Sequence, residues 1–390
     1  MDNRKNNTVL GETPRTHYRR EETIHFSCNE RGSRRQITVL KFGEPGARPK
    51  AYLQAGLHAD ELPGMLVLQF LANKLEVAAA RGAIEGEIVI VPTANPIGLA
   101  QRNGDYLSGR FDSSSGENFN RNFPDATRAV ADKVGAKLGN DAQKNTKKIR
   151  KAMGKVLAIA DADTELKMLR KALMILAHDA DIALDLHADN EAQLHLYIGT
   201  PLWPDAMDLA AEIDARAVLL AEDSGGNCFD EACGGPWWAL AKQFPEAAIP
   251  PACLAATVEL RSNNDVSAEY AERDARALFR FLVRRGIVAG EAGSVPRLLC
   301  EATPLEAMQQ VKAATDGLVV YKARLGDTVR DGEVVAEIFN ASGDQCEVKA
   351  HTDGLLFALH DQRYAWEGKI IGKIAGKHPL PERSGNLLSP

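Results

Sequence analysis

The feature that most constrains the fold is a short apolar run that stops at a glycine and continues into a helical pattern. Residues 51–55 predict a buried strand, Gly56 breaks it, and apolar residues recur with a helical period over residues 62–80. Strand-like runs at residues 37–42 and 87–93 lie on either side of this unit. Strands that alternate with a helix in this way predict an α/β structure in which helices cover a sheet.

Two polar residues, His58 and Glu61, lie in the break between this strand and its helix. An open α/β sheet binds its ligands at the ends of its strands, so both side chains are candidates for a site. An imidazole and a carboxylate at this spacing can bind one metal ion, which then needs further ligands from elsewhere in the chain. A helix-capping carboxylate beside a solvated histidine is the alternative that the pattern leaves open.

Composition excludes several classes of partner. The chain has 390 residues, 45% hydrophobic and 26% charged, with a formal net charge of −6, which argues against a general nucleic-acid or anionic-membrane surface. No apolar run approaches the ~20 residues that span a bilayer, and we find no signal peptide in the polar N-terminus. The six cysteines are scattered and are expected to be reduced thiols. We therefore expect a cytoplasmic protein.

The rest of the first 295 residues extends the α/β pattern. A Gly/Ser/Asn-rich loop at residues 104–124 is long enough to suggest that it serves a site. Residues 125–180 predict two or three helices, the last over 164–177, whose charged faces are expected to be solvated; a lid or an oligomer contact is the alternative. Strands are predicted at 24–26, 181–186, 193–198 and 253–260, a helix beginning at Trp237, and a helix at 268–285 that closes a first domain, 1–295.

The tail, 296–390, carries an internal duplication. Residues 315–319 (TDGLV) recur as 352–356 (TDGLL), and 332–338 (GEVVAEI) recur as 368–374 (GKIIGKI). Two similar β layers packed face to face would form a small barrel-sandwich domain, which resembles the biotinyl/lipoyl fold. In that family the modified lysine lies at a hairpin between the two halves, and residues 340–346 contain no lysine. We therefore expect a structural role for this second domain.

Three further residue types suggest the chemistry of the site. His187 follows a predicted strand and is the best third metal ligand, although a histidine bonded to a loop carbonyl is the alternative. Glu259 ends an apolar strand and could act as the base that a zinc hydrolase needs; its alternative is an ion pair with Arg261. Arg121, preceded by Asn120 in the long loop, could bind a carboxylate in bidentate fashion, whereas a surface arginine is the default.

These motifs, in their order, are similar to those of one enzyme family. Gly-x-His58-x-x-Glu61, Asn95-Pro96, Asn120-Arg121-x-Phe123-Pro124, Asp185-Leu186-His187 and a strand-borne Glu259 resemble the succinylglutamate desuccinylase/aspartoacylase family of the zinc carboxypeptidase superfamily. The resemblance covers roughly residues 35–285, and the β tail fits it. It implies a carboxypeptidase-like mixed sheet flanked by helices, with a small all-β domain after it.

The resemblance also implies roles for individual residues. His58, Glu61 and His187 would bind one zinc ion per chain, and Glu259 would be the general base and later the general acid. Asn120 and Arg121 would hold the substrate carboxylate. A further arginine ahead of them would stabilise the oxyanion: Arg110 fits best and Arg102, otherwise a substrate-binding candidate, is its rival. Asn118 departs from the family pattern, which has aspartate at that position to orient a zinc-bound histidine.

The expected activity is hydrolysis of an N-acyl amino acid, or a similar small carboxylate-bearing amide, by metal-activated water. A zinc carboxypeptidase acting on peptides is the rival within the hydrolases, and a metal-free scaffold is the rival from another class. No nucleic acid or membrane is expected as a partner, and a homo-oligomer is possible. The acyl group and the amine do not follow from the sequence.

Overall fold

The structure is a computed structural model that describes residues 19–27 and 34–388. The predicted polar lead-in before residue 19, the N-terminus without a signal peptide and Cys28 lie outside the described residues. Within the described ranges the chain forms eight α-helices, which are α1 (Pro63–Ala80), α2 (Pro96–Leu99), α3 (Thr127–Val134), α4 (Ala142–Ala158), α5 (Glu165–Ala177), α6 (Met207–Glu212), α7 (Phe229–Gln243) and α8 (Ala268–Arg284).

The strands of the described residues fall into two groups that meet near residue 300. The first group is β1 (Arg20–Ser27), β2 (Arg34–Phe42), β3 (Lys50–Ala55), β4 (Glu87–Val91), β5 (Arg102–Asn103), β6 (Tyr106–Leu107), β7 (Ile182–Asp189), β8 (Glu191–Ala192), β9 (His195–Gly199), β10 (Ala217–Ala221), β11 (Leu254–Ser262) and β12 (Ala302–Pro304). The second group is β13 (Met308–Lys312), β14 (Gly317–Tyr321), β15 (Thr328–Val329), β16 (Val334–Phe339), β17 (Gln345–Lys349), β18 (Gly354–Leu359), β19 (Tyr364–Ala365) and β20 (Ile370–Gly376).

A nine-stranded mixed sheet forms the centre of the molecule, with strand order β1-β2-β4-β3-β7-β11-β9-β10-β12. Strands β4, β3, β7 and β11 run parallel, whereas β1, β2 and the β11–β9 pair are antiparallel. Every residue of β3 and β4 is buried, as expected for strands covered on both faces. The predicted mixed α/β sheet is confirmed.

Helices cover both faces of this sheet and form two separate cores. Apolar residues of α1, α6 and α8 pack on one face, among them Leu71, Leu209 and Phe281. Residues of α3, α4, α5 and α7, including Ile149 and Leu173, pack on the other. The helices predicted in residues 125–180 are therefore a covering layer of the sheet. None of the helices in the described ranges is both long and apolar enough to cross a bilayer.

The second group of strands forms two antiparallel sheets with a common core, as the duplication predicts. One has the order β13-β20-β18-β15 and the other β17-β16-β14-β19. The repeated segments occupy equivalent strands in opposite sheets, and each half lends a short strand to the other: β15 pairs with β18 and β19 with β14. Apolar residues such as Val319, Ile338, Leu356 and Ile374 fill the space between the sheets.

The second group of strands contacts the central sheet directly. Strand β8 pairs with β18, and β12 is the last strand of the nine-stranded sheet. Leu219 of β10 shares an apolar cluster with Met308 and Phe357. The division into domains 1–295 and 296–390 stays a prediction. Strand β8 of the first range pairs with a strand of the second, and β12 of the second range belongs to the central sheet.

Helix α7 differs from the prediction. The sequence predicted a helix beginning at Trp237, but the helix runs unbroken from Phe229 to Gln243 with Gly234, Gly235 and Pro236 inside it. Gly234 serves packing, because a Cβ at that position would lie 2.8 Å from the Trp238 ring. Tertiary contact therefore outweighs the local preference of these residues for a turn.

Candidate metal centre and active site

Three buried side chains meet at the carboxyl ends of β3 and β7. Gly56, with φ of +69°, turns the chain out of β3 and brings His58 and Glu61 ahead of α1. His187 lies within β7, which extends three residues beyond the predicted end at residue 186. One ligand atom from each of His58, Glu61 and His187 lies within 4.8 Å of the others, so the structure brings these predicted ligands together.

The Glu61 carboxylate faces both imidazole rings. Its Oε1 lies 2.9 Å from His58 Nδ1, and its Oε2 lies 2.7 Å from His187 Nδ1 and accepts the Ala188 N–H at 3.1 Å. Burial opposes ionisation of Glu61, but the two imidazoles hold its pKa well below the usual range. Burial also lowers the pKa of His58 to about 4, so this ring is neutral at pH 7.

The far nitrogens of the two rings are held by different partners. His187 Nε2 lies 2.8 Å from Asp185 Oδ2, and His58 Nε2 lies 2.8 Å from Asn118 Oδ1. Residues i and i+2 of a strand share a face, which explains how Asp185 reaches the ring of His187. Such outer hydrogen bonds orient a metal-binding ring and fix the tautomer in which the other nitrogen carries the lone pair.

This donor set fits a divalent cation. Burial lowers the pKa of His187, but the Asp185 and Glu61 carboxylates outweigh it and hold that pKa well above its usual value, so each ring nitrogen can donate to one carboxylate. A divalent cation between Nδ1 and Glu61 would replace the Nδ1 proton as the positive charge that these oxygens face. Two imidazoles and one carboxylate, all buried, are an attested set of protein ligands for catalytic zinc.

Glu259 lies beside this cluster because β11 pairs with β7 in a register that sets Glu259 opposite His187. Its Oε2 is closed off from solvent and finds no hydrogen-bond partner among the described residues. Burial, and the nearby Glu61 carboxylate, raise the pKa of Glu259 to about 8. The alternative ion pair with Arg261 is not formed, because Arg261 pairs with Asp274 on α8.

The two candidate arginines of the long loop lie in different environments. Arg110 Nη1 lies 3.1 Å from Glu61 Oε1 and 3.2 Å from His58 Nδ1, and the side chain lines the cavity above the cluster. Arg102 is exposed on the β5–β6 hairpin and is not among the residues that line this cavity. The structure thus brings Arg110, and not Arg102, to the cluster.

Asn120 and Arg121 lie on the same cavity wall. Asn120 Oδ1 accepts the Phe229 N–H at 2.9 Å, and its amide nitrogen lies 3.4 Å from His187 Nε2. Arg121 Nη1 donates to the Asn120 carbonyl at 2.7 Å, which folds the side chain back toward its own loop. Burial lowers the pKa of Arg121 while leaving it a cation at neutral pH.

Several cavity residues had no signal in the sequence. Lys373 of β20 reaches the cavity from the C-terminal sheets and pairs with Asp189, two residues after His187. Tyr197 and Gln310 also line it, and Asp230 and Glu231 form part of its wall from the first turn of α7. The sequence did contain a signal for Asp185. Side chains alternate along a strand, so those of Asp185 and His187 lie on the same face.

Residues 47–164 match the model of the succinylglutamate desuccinylase/aspartoacylase catalytic domain. The chain is 26% identical over 349 residues to the N-alpha-acetyl-L-2,4-diaminobutyric acid deacetylase of Halomonas elongata, a match that covers 87% of this chain and 84% of the relative.

Solved structures agree in fold. A succinylglutamate desuccinylase/aspartoacylase family protein from Shewanella amazonensis superposes with a TM-score of 0.80 at 23% identity, covering 93% of this chain and 100% of that one. The product-bound ectoine utilization protein of Ruegeria pomeroyi gives a TM-score of 0.65 at 18% identity, covering 92% and 95%. The comparisons confirm the predicted resemblance to this family.

Proposed function

We propose that this chain, whose residues 47–164 match the catalytic domain of the succinylglutamate desuccinylase/aspartoacylase family, is a zinc-dependent deacylase that hydrolyses the amide bond of small N-acyl amino acids. One observation carries the proposal. The buried His58–Glu61–His187 cluster adjoins a cavity that His58, His187 and Glu259, with its unpartnered Oε2, line together with Arg110 and Arg121.

His58, Glu61 and His187 would hold the zinc ion, with Asn118 and Asp185 fixing the two rings from behind. When bound, zinc lowers the pKa of water and polarises a carbonyl oxygen as a Lewis acid. Its positive charge would also lower the pKa of Glu259 and make that carboxylate available as a base at neutral pH.

Glu259 would take the proton of the attacking water and deliver it to the leaving nitrogen. Its carboxylate suits this role because one oxygen has no competing hydrogen bond in the part of the chain that is described. Arg110 would donate to the substrate carbonyl oxygen as negative charge develops on it, a contact worth on the order of 3–4 kcal/mol in related sites. Asn120 and Arg121 would anchor the substrate carboxylate.

A small substrate is favoured over a peptide by what covers the cavity. Leu305, Met308, Gln310, Lys373 and Leu388 contribute to its walls, and all of them lie after residue 300. Walls contributed by this part of the chain would leave less room for a peptide than for a single N-acyl amino acid. The relative from Halomonas elongata is likewise named for a single N-acetylated amino acid.

The test combines metal analysis with a substrate screen. Purified protein should contain close to one equivalent of zinc per chain and should hydrolyse some members of a panel of N-acetyl, N-succinyl and N-formyl amino acids. Short peptides with free C-termini should be poor substrates. Zinc below about half an equivalent, with no hydrolysis after zinc is added, would favour the scaffold alternative; preferential cleavage of peptides would favour a carboxypeptidase.

A further inference from the structure

The end of strand β7 is held from two sides. Asp189 is the last residue of β7 and comes two residues after His187. On the side of the central sheet, the Asn263 N–H donates to the Asp189 carbonyl at 2.8 Å. On the other side, the second group of strands holds the residues that follow, because β8 pairs with β18 and the Gln193 N–H donates to the Phe357 carbonyl at 2.8 Å. The proposed metal ligand His187 therefore lies close to the contact between the two groups of strands.

The hydrogen-bond ladder between β7 and β11 is irregular at this end. Glu259 lies opposite His187 and Ser262 lies opposite Asp189, so β11 has one more residue than β7 between these two pairs. Arg261, in that interval, has a φ of +63°. A bulge of this kind leaves a residue unpaired and disrupts the ladder locally. The end of β7 therefore depends more on other contacts than the rest of the strand does.

Two ion pairs join the two groups of strands near this point. Lys373 of β20 pairs with the Asp189 carboxylate, and Arg363 Nη2 lies 2.9 Å from Glu191 Oε1 and 2.8 Å from its Oε2. The side chains of Lys373 and Asp189 are 24% and 13% exposed, whereas those of Arg363 and Glu191 are 43% and 34% exposed. The pair of Lys373 with Asp189 is thus better shielded from water, which strengthens the attraction between its charges.

The two ion pairs also differ in their relation to the catalytic cavity. Lys373 lines this cavity together with His187 and Glu259, and Arg363 is not among the described residues that line it. Alternate residues of a strand share a face, so the Asp189 side chain lies on the same side of β7 as the His187 ring. Lys373 therefore holds a side chain on the face of β7 that carries the metal ligand, where the ladder to β11 is interrupted.

We propose that Lys373 is a positioning residue of the active site: its ammonium group holds Asp189 and thereby keeps the His187 ring where a metal ion needs it. This inference rests on the proposed function. Asp185 orients the ring through the Nε2 atom, whereas Lys373 would act one step further out, on the backbone that carries the ring. The second group of strands would then complete the metal centre in addition to covering the cavity.

Zinc affinity, measured by competition with a chelator, is the first test. Lys373→Met should weaken zinc binding by about tenfold, the lower end of the effect of partners that orient metal ligands. Lys373→Arg should bind zinc as the parent does, because a guanidinium can also pair with Asp189. Arg363→Met is the matched control, since it breaks the other ion pair between the same groups of strands, and it should keep the parent affinity.

Three results of this test would overturn the inference. The first is an unchanged zinc affinity in Lys373→Met. The second is an equal loss in Arg363→Met, which would show that the contact between the two groups of strands matters only as a whole. The third is an equal loss in Lys373→Arg, which would show that the positive charge is not what matters. Each affinity is measured well below the unfolding temperature of the variant, so that folded proteins are compared.

A double-mutant cycle tests whether Lys373 acts through Asp189. Asp189→Asn should also weaken zinc binding by about tenfold. The double variant should lose no more than either single variant, because substitutions that remove the same contact are not additive. Losses that multiply in the double variant would show that Lys373 acts by another route, against the inference.

Kinetics distinguish positioning from direct binding of the substrate, because Lys373 also lines the cavity. With saturating zinc and the best substrate of the N-acyl amino acid panel, Lys373→Met should lower kcat by about tenfold and change KM by less than about twofold. A raised KM, with kcat and zinc affinity at the parent values, would show that Lys373 binds substrate and would overturn the positioning role.

NMR of histidine-labelled, zinc-free protein separates this inference from the proposed function. The ring signals of His187, identified by their absence in His187→Ala, should shift in Lys373→Met and keep the parent position in Lys373→Arg and Arg363→Met. This measurement requires neither zinc nor hydrolysis. A zinc-loaded protein that hydrolyses none of the panel would refute the deacylase proposal, whereas His187 signals that do not move in Lys373→Met would refute the inference even if the protein is a deacylase.

Discussion

Asn118 Oδ1 lies 2.8 Å from His58 Nε2 and at the same distance from the backbone N–H of Asn120, which donates to it. One amide oxygen therefore orients a proposed metal ligand and also holds the start of the Asn120-Arg121 pair. His187 has a carboxylate, Asp185, in the equivalent place. The two imidazoles thus differ in the charge of the group behind them.

We expect Asn118→Asp to raise the affinity for zinc, because a carboxylate increases the basicity of the His58 ring. Partners of this kind change metal affinity by about 10- to 100-fold, so a gain of about tenfold is expected, measured by competition with a chelator. The Asn118 Nδ2 atom has no hydrogen-bond partner within the described chain, so the substitution removes no existing hydrogen bond. Asn118→Leu, which removes the hydrogen-bond acceptor, should weaken zinc binding by a similar factor. Equal zinc affinities in the parent and both variants would contradict a role of Asn118 in orienting His58.

Glu259→Gln should bind zinc as the parent does and lose turnover, since the amide cannot accept the proton of water. General-base catalysis contributes about 10²- to 10⁴-fold, which sets the expected fall in kcat. His187→Ala should lose both zinc and turnover. Metal content by mass spectrometry, next to kcat, distinguishes the two variants. Retained turnover in Glu259→Gln would show that Glu259 is not the general base.

Arg110→Met should lower kcat by about 10²- to 10³-fold with zinc retained, because its guanidinium lies at the cluster and would meet the developing oxyanion. Arg102→Met is the matched control, as the same side chain is exposed on the β5–β6 hairpin. Its kinetics should equal those of the parent. A fall in kcat confined to Arg102→Met would show that Arg102, and not Arg110, stabilises the oxyanion.

His195 predicts a dependence of stability on pH. It is fully buried against Tyr197 and Phe357, its Nδ1–H donates to the Gln193 carbonyl at 2.9 Å, and Nε2 has no partner in the described structure. Burial lowers its pKa to about 4 from 6.5, so above pH 6.5 the residue is neutral in the folded and unfolded states. As the pH falls from 6.5 to 4, the unfolded state binds the proton first and stability is lost, by up to about 3 kcal/mol.

Urea unfolding at pH 7.0, 5.5 and 4.5 measures this effect. His195→Phe should lose less of its free energy of unfolding between pH 7.0 and 4.5 than the parent. Replacement of the exposed His378 by Gln should leave the parent's pH dependence in place. Parallel curves for the parent and His195→Phe would show that His195 is not the group responsible.

Much of the central sheet was predictable because its strands are short apolar runs bounded by glycine and polar residues. Helix α5 illustrates this: Thr164 caps it through the Lys167 N–H, and its bounds match the predicted segment. Helix α7 was not predictable from local preferences, because Gly234 is there to admit the Trp238 ring. Only the packed structure shows that contact.

The residues of the candidate site likewise divide into those that the sequence could predict and those that it could not. His58, Glu61, His187 and Glu259 were accessible to sequence reasoning, since each adjoins the end of an apolar strand in the central sheet. Asp230 and Lys373 were not, because their position depends on how α7 and β20 pack against the sheet, which strand patterns do not encode.

The pairing of Lys373 with Asp189 limits how this protein can be recombined with its relatives. The two charges are partly buried, and they lie 184 residues apart in the chain. A chimera that joins residues 1–295 to a C-terminal module without a matching lysine would leave a partly buried carboxylate unpaired on β7, two residues after His187. Exchange of whole modules should therefore succeed only when residues 189 and 373 are transferred as a pair.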